Sequence, residues 1–232
     1  MLTRRQILIS ALTSLAGGTL LKKAGAAPPE NEKHPHTKPS SKHQGRTHYT
    51  PVVTPNGKTL PYKMKNGVKE FHLIAEPVER EFGPDMKVKC WGYNGQTPGP
   101  TIEAVEGDRV RILVTNKLPE HTSIHWHGIF LPNGMDGVGG LTQPHIGSGE
   151  TWVYEFTLRQ NGTFMYHPHA DEMLQLAVGM MGFFIIHPKK PENRRIDRDF
   201  AIMLHEWAIH PGTYRPDPAI MTDFNMFTFN SK

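Results

Sequence analysis

The chain contains a single cysteine, Cys90, among its 232 residues. No disulfide can form within it, and sites built from two or more thiolates are excluded. Cys90 lies in a strand-like run, Lys87–Trp91, with no histidine beside it. We therefore predict that it is a small core residue; the alternative is a metal-binding thiolate.

Long hydrophobic runs are also missing. The apolar stretch at residues 7–21 is short for a membrane span and is interrupted by Gly, Ser and Thr. It follows Arg4 and Arg5 and precedes two lysines and a run of small residues, an order typical of a twin-arginine export signal. We predict such a signal at residues 1–27, no stable membrane span and a periplasmic or secreted protein; the alternative is a membrane anchor.

A basic surface is missing from the body of the chain. The net charge is +4, but residues 1–27 contribute +4 and residues 28–50 contribute +2, so residues 51–232 carry −2. A nucleic-acid partner is therefore not expected.

Residues 28–50 have almost no apolar side chains and are rich in Pro, Lys, Ser and His. Such a composition cannot bury a core, so we predict a disordered linker. Its histidines either gather metal loosely or are solvated: His34, His36, His43 and His48.

The rest of the chain has the pattern of an all-β protein. Alternating apolar runs are separated by turns rich in Gly and Pro, which favours a sandwich or barrel over residues 51–188. The predicted strands include 68–75, 101–105, 110–114, 151–158 and 183–187, and a short helix is predicted within 170–181. Residues 189–232 contain a charged link and two more apolar runs, at 200–204 and 224–230. They are too few for a domain of their own, so a fragment that stops inside a second domain is predicted.

Two histidine pairs, His125-Trp126-His127 and His167-Pro168-His169, stand about 40 residues apart. Alternate residues of a strand point the same way, so each pair can aim two imidazoles at one point. If the two strands are neighbours, four imidazoles converge on a site that suits copper, zinc, iron or nickel.

The surroundings of these pairs resemble the amino-terminal cupredoxin domain of the multicopper oxidases (laccase-like). The resemblance covers about 120 residues, in order and at family spacing. It is carried by the segments 91–95, 98–102, 106–108, 125–128, 136–137 and 162–169, and by Gln175, Gly179 and Gly182.

The resemblance implies a Greek-key β-sandwich and a set of copper ligands. His125 matches a ligand of the single type 2 copper, and His127, His167 and His169 match ligands of the paired type 3 coppers. These are half of a trinuclear cluster whose other histidines come from a partner cupredoxin domain. Asp136 matches an acid that assists proton delivery to oxygen; the alternative is a turn residue before Gly137.

The implied activity is one-electron oxidation of a phenol or a metal ion, Cu(I) or Mn(II), coupled to four-electron reduction of O2 to water. A type 1 copper is expected only in a part that this chain lacks, so the chain alone is expected to be inactive. The partner domain is supplied either in cis or by another subunit, with a homotrimer as one possibility, and residues 121–136 and 163–175 are expected to face it.

Several alternatives stay open at this point. The same histidines suit a non-enzymatic, exported copper-binding or copper-resistance protein. A mononuclear zinc or iron site of the cupin type fits less well. Such a site needs a glutamate a few residues after the first histidine pair, whereas the first acid after His127 is Asp136, nine residues later. The frequent methionines either pack in the core, which we favour, or bind Cu(I). Asp171 and Glu172 either tune the cluster or begin the short helix.

Overall fold

The computed structural model describes residues 49–190 and 196–232. The predicted export signal and almost all of the predicted linker, including its four histidines, lie outside the described residues. The described part contains fifteen strands, one α-helix and one 3-10 turn. The α-helix, α1 (Glu172–Ala177), has six residues, and no helix of the described part is long and apolar enough to cross a membrane. The prediction of an all-β protein is confirmed.

The first sheet has five strands and is organised around one long strand. The first half of β3 pairs in parallel with β6, and its second half pairs antiparallel with β4. The strands β2 and β8 complete the sheet at its two sides. Their bounds are β2 (Tyr62–Lys65), β3 (Val68–Gly83), β4 (Met86–Tyr93), β6 (Arg109–Asn116) and β8 (Thr151–Thr157).

The second sheet has four strands in the order β5-β10-β9-β7. The central strand β10 runs parallel to β5 and antiparallel to β9, and β9 pairs antiparallel with the short strand β7. Their bounds are β5 (Gly99–Val105), β7 (His125–His127), β9 (Gly162–His167) and β10 (Gly182–His187). The short strand β7 therefore lies at an edge of this sheet.

The inner faces of the two sheets enclose one hydrophobic core, as the alternation of β6 predicts. Val110, Ile112 and Val114 are fully buried, whereas the residues between them are partly exposed. From the second sheet, Trp126 enters the same core and meets the ring of Tyr154 edge-on, with centroids 5.1 Å apart. Two facing sheets with such alternation form a β-sandwich.

The outer face of the second sheet is covered unevenly. Towards β10, Val52 and Ala201 pack on Ile185 in a small cluster. Val52 belongs to β1 (Val52–Val53), which pairs with β11 (Asp199–Phe200). In β7, the outer positions are held by a partly and a wholly exposed side chain, His125 and His127, whereas His167 opposite His125 is buried. The histidine pairs therefore lie on the less covered side of the sheet.

The last 37 described residues form short paired strands rather than one continued sheet. The paired strands are β12 (Leu204–Trp207) with β15 (Met226–Phe229), and β13 (Ile209–His210) with β14 (Arg215–Pro216). The predicted strand 200–204 is interrupted, because β11 pairs with β1 while β12 pairs with β15. Asn230 holds the backbone of the intervening residues through its side-chain amide. Its nitrogen donates to the carbonyl of Ala201, and its oxygen accepts from the backbone amide of Met203.

The predicted helix at 170–181 is shorter than expected. It begins at Glu172 and ends at Ala177. Gly179 follows with a φ of +110°, a backbone conformation that a helix does not continue through. The fully buried side chain of Gln175 then fixes this short helix against the segment that leads into β7.

Cys90 is a free, buried cysteine, as predicted. It is 2 % exposed and packs with Val78, Phe82 and Val88. Burial raises the pKa of its thiol to about 12. At about pH 8 the group is therefore the unreactive thiol rather than the thiolate.

We expect Cys90 to resist modification by a thiol reagent in the folded protein and to react fully once the chain is unfolded in urea. The measurement is labelling with Ellman's reagent at about pH 8, followed by absorbance. Rapid labelling of the folded chain would contradict the buried position.

Candidate metal centre

Strand β7 directs two histidines to one face by anchoring the residue between them. Trp126 is fully buried, whereas His125 is half-buried and His127 is exposed. Because strand side chains alternate, the buried indole fixes both imidazoles on the outer face of the sheet. The strand behaviour predicted for the first pair is confirmed.

The neighbouring strand brings the second pair to the same place. In the antiparallel register, His125 stands opposite His167 and His127 stands opposite Met165. Directly opposed residues have their Cβ atoms about 5 Å apart, so the side chains meet. Ligand nitrogens of His125, His127 and His167 all lie within 4.8 Å of one another. In the described part of the chain, these three form the one such group of histidine, cysteine or acidic side chains.

His169 lies at the margin of this group. Its ring centroid is 5.5 Å from that of His125 and 6.3 Å from that of His167. Strand β9 ends at His167, so alternation no longer determines where the second histidine of the pair points. The four rings are neighbours, but only three converge on one point, which differs from the expected fourfold convergence.

Backbone carbonyls set the tautomers of two of these histidines. The Nδ1 of His125 is 2.8 Å from the carbonyl oxygen of Asp136, and the Nδ1 of His167 is 2.9 Å from that of Pro168. A carbonyl oxygen can only accept a hydrogen bond, so each Nδ1 carries the proton and donates the hydrogen bond. In the neutral ring, the Nε2 atom then keeps its lone pair, which is the state that a metal ligand requires.

The closest contact in the group joins His127 to His167. The Nδ1 of His127 lies 3.1 Å from the Nε2 of His167. Burial lowers the pKa of His167, which keeps its imidazole neutral. Two nitrogens that share one ion at about 2.0–2.1 Å are at most about 4 Å apart, so this pair fits a single metal ion between them.

Asp136 lies in a turn and also adjoins His125. It ends the 3-10 turn Asn133–Met135, with its amide bonded to the carbonyl of Asn133. Its carboxylate Oδ1 also lies 3.5 Å from the Nδ1 of His125, and its side chain is 33 % exposed. The turn therefore places an acid that touches both solvent and one histidine of the group.

Glu172, rather than Asp171, is the acid that faces the second histidine pair. Its carboxylate oxygens lie 3.6 Å from the Nδ1 of His167 and 3.8 Å from the Nε2 of His169. Glu172 is also the first residue of α1, so the same residue begins the helix and lies beside both histidines. The side chain of Asp171 makes no capping hydrogen bond at the helix start.

Two residues that hold β7 in place were not assigned a role from sequence. The hydroxyl of Tyr154 accepts the amide of Ile124 at 3.1 Å. Gln175 accepts the Thr122 hydroxyl at 2.7 Å and donates to the carbonyl of His121 at 2.9 Å. A glutamine between two leucines of the helix was the available signal for Gln175, since a buried amide needs partners.

The unpaired histidines have other environments. His187 is buried and lies 2.9 Å from Glu103, and its ring stacks on Tyr49. His205 stacks on Trp207, and burial lowers its pKa to about 4. Both imidazoles are therefore held by contacts away from the histidine group.

The donor set of the group fits copper. Imidazole nitrogens suit copper, zinc, iron and nickel, whereas magnesium and calcium need a shell of oxygens. A blue, type 1 site additionally needs a cysteine thiolate. Cys90 packs among apolar side chains and belongs to no such group in the described residues.

Much of the chain is similar to a known protein family and to known proteins. The family model described as multicopper oxidase matches residues 75–191, which is half of the chain. Copper resistance protein A of Escherichia coli is 46 % identical over 134 residues, covering 58 % of this chain and 22 % of that protein. L-ascorbate oxidase of Brassica rapa subsp. pekinensis is 40 % identical over 155 residues, covering 64 % of this chain and 26 % of that protein. The chain thus spans only about a quarter or less of these relatives.

Solved structures give the same result. A multi-copper oxidase from Pseudomonas thermotolerans aligns with a TM-score of 0.66 and 33 % identity, covering 71 % of this chain and 42 % of that one. This likeness confirms the predicted cupredoxin-like sandwich, and membership in the family implies copper as the cofactor. The histidine group lies within the matched residues, and the chain belongs to the multicopper oxidase family.

Proposed function

We propose that this chain supplies half of a trinuclear copper centre in an oxidoreductase that couples one-electron oxidations to the reduction of O2 to water. The observation that carries the proposal is the convergence of three imidazole ligand atoms within 4.8 Å, on the less covered face of a sandwich of this family. Copper bound there supplies one-electron transfer and a centre for reducing O2.

The ligand roles follow the position of each ring. We assign His125 to the type 2 copper, and His127, His167 and His169 to the type 3 pair. The 3.1 Å contact between His127 and His167 supports their assignment to one ion. His125 lies 5.3–5.5 Å, centroid to centroid, from each of the other three rings, so an ion that it holds would lie beside those of the type 3 pair.

Asp136 is the proposed proton donor of the site. Its carboxylate touches the Nδ1 side of His125 and remains partly open to solvent, so it can take a proton from water and release it towards the site. Its backbone carbonyl orients the same imidazole independently of the carboxylate.

Replacing Asp136 by asparagine separates these two contributions. The backbone bond to His125 stays, so copper content is expected to stay, whereas kcat of the complete enzyme falls about 100-fold, the lower range for loss of an acid–base group. The measurement is O2 uptake against pH, with copper content determined on the same samples. An unchanged rate and pH profile would leave Asp136 as a turn residue only.

The proposed centre is incomplete within the described residues. His127 is exposed and His169 is 37 % exposed, so part of the group faces outward. We propose that residues 121–136 and 163–175 face a second cupredoxin domain, which begins within residues 189–232 and is completed in cis or by another subunit, with a homotrimer as one arrangement. The reductant is proposed to be a phenol or a metal ion, Cu(I) or Mn(II), and the protein to be exported by the twin-arginine route.

The test compares this chain with the complete protein. We expect the chain of 232 residues to bind Cu(II) through its histidines, to show no intense blue absorption and to consume no O2, because it lacks a cysteine ligand for type 1 copper. The complete protein is expected to consume O2 with a phenol or Cu(I). A blue chain would overturn the interpretation of Cys90.

Copper binding by the complete protein without O2 uptake would favour the alternative, a copper-binding protein without oxidase activity. The observation that supports this alternative is the name of the Escherichia coli relative, a copper resistance protein.

A further inference from the structure

A cavity of about 440 Å³ adjoins the histidine group on the outer face of the second sheet. One histidine, His127, and three methionines line it: Met165, Met181 and Met203. The histidine belongs to the metal group described above, whereas none of the three methionines has a role there.

Three separate parts of the chain bring these methionines together. Met165 stands directly opposite His127 in the register of β9 and β7, so both side chains lie on the outer face. Met181 immediately precedes β10 and Met203 immediately precedes β12. The amide of Met203 is held by the side-chain oxygen of Asn230 at 2.8 Å, which fixes its backbone at the cavity.

The chemistry of the lining is soft and almost uncharged. Besides the four residues named, the cavity is lined by Gly128 and Thr163 and by apolar side chains such as Phe164 and Phe183. No carboxylate, lysine or arginine of the described residues lines it. Thioethers select Cu(I), whereas Mg²⁺, Ca²⁺ and Mn²⁺ require oxygen ligands.

Core packing does not account for this arrangement. Methionine fills irregular gaps in a core, but these three border an open groove on the outer face of the sheet rather than an enclosed gap. Here Met181 and Met203 are 7 % and 9 % exposed, yet they border a cavity large enough for an ion with part of its hydration shell.

We infer that this methionine cavity binds Cu(I) and passes it to the histidine group. The transfer is an exchange of ligands: Met–Cu(I) bonds break, bonds to imidazole nitrogens form, and the oxidation state does not change. His127 borders the cavity and belongs to the group, so no separate carrier residue is needed. Binding in the cavity stands alone, and only the transfer step rests on the proposed function.

The first experiment uses Ag(I), a soft cation that is not oxidised, with the chain labelled at its methionine methyl groups. Addition of Ag(I) is expected to shift the NMR signals of Met165, Met181 and Met203. Met64 and Met221, which are 58 % and 51 % exposed, serve as internal controls and are expected to stay unshifted at one equivalent. Equal shifts at all five, or none at the three, would overturn the inference.

A double variant measures the affinity. Leucine is close in volume to methionine, so Met165→Leu with Met203→Leu is expected to fold. It should weaken Ag(I) and Cu(I) binding more than about 10-fold, the least that loss of a supporting metal-site residue costs. The matched control, Met64→Leu with Met221→Leu, should bind as the parent does. Equal affinity in both double variants would contradict a methionine site.

A second variant pair separates this inference from the proposed function. His125→Ala with His167→Ala should lose Cu(II) binding but keep the Ag(I) shifts at the three methionines. Loss of Cu(II) with no methionine shifts refutes only the cavity, whereas retained Cu(II) binding with normal methionine shifts refutes only the histidine centre.

Discussion

Replacing Gly137 by alanine is expected to lower the free energy of unfolding by about 3 kcal/mol, the combined cost of overpacking and of an L residue at positive φ. Gly137 has a φ of +85°, and a Cβ there would overlap the carbonyl oxygen of Ile124 and lie 3.0 Å from the amide nitrogen of His125. Both neighbours are backbone atoms leading into β7, so relief requires the strand or the turn to move. The measurement is urea unfolding.

The same substitution is expected to weaken copper binding. Asp136 precedes Gly137, and its carbonyl orients His125, so a shifted turn loses that hydrogen bond. Gly67→Ala is the matched control, since Gly67 has a φ of +77° and no atom lies within 4 Å of the position that its Cβ would take. It should cost only about 1 kcal/mol and leave copper binding unchanged. Equal costs at both positions would mean that the close approach to β7 is not what requires glycine.

Replacing His127 by alanine is expected to abolish O2 uptake by the complete protein. In the chain of 232 residues, the same change should weaken copper binding more than about 100-fold. Loss of a residue that only supports a metal ligand costs up to about 100-fold, and loss of a ligand itself should cost more. The physical reason is that the change removes one of the two nitrogens, 3.1 Å apart in His127 and His167, that are proposed to share one ion. Copper content and O2 uptake measure the two effects.

A histidine outside the group provides the control for this prediction. His72 is exposed and bonds to the hydroxyl of Thr115 at 2.8 Å. His72→Ala should leave both copper content and O2 uptake unchanged. Unchanged O2 uptake in the His127 variant would refute its assignment as a ligand.

Most of the strands could be predicted because their signal is local. Alternation in β6 and β8 reflects one buried and one exposed face, which each strand carries in its own residues. The strand predicted at 200–204 failed for the opposite reason. Its residues are apolar throughout, but the interruption after Phe200 comes from a change of pairing partner, from β1 to β15.

The candidate site shows the same division. The spacing of His125 and His127 was sufficient to place both on one face, because Trp126 between them is buried. The spacing of His167 and His169 was not, because β9 ends between them. The carbonyl contacts that set two tautomers come from backbone atoms, which no side-chain pattern indicates.

The sequence by itself determined the β-sandwich class, the family, the buried cysteine and the two histidine pairs, since each depends on local periodicity or on an ordered motif. Only the tertiary structure decided which histidines meet, how Asp136 contacts His125 from its turn, and that three methionines line a cavity beside His127. The reason is distance along the chain: His127 and His167 are 40 positions apart, and Asp136 is 11 from His125. Strand register and turn placement set these contacts, and both are products of packing across the whole sandwich.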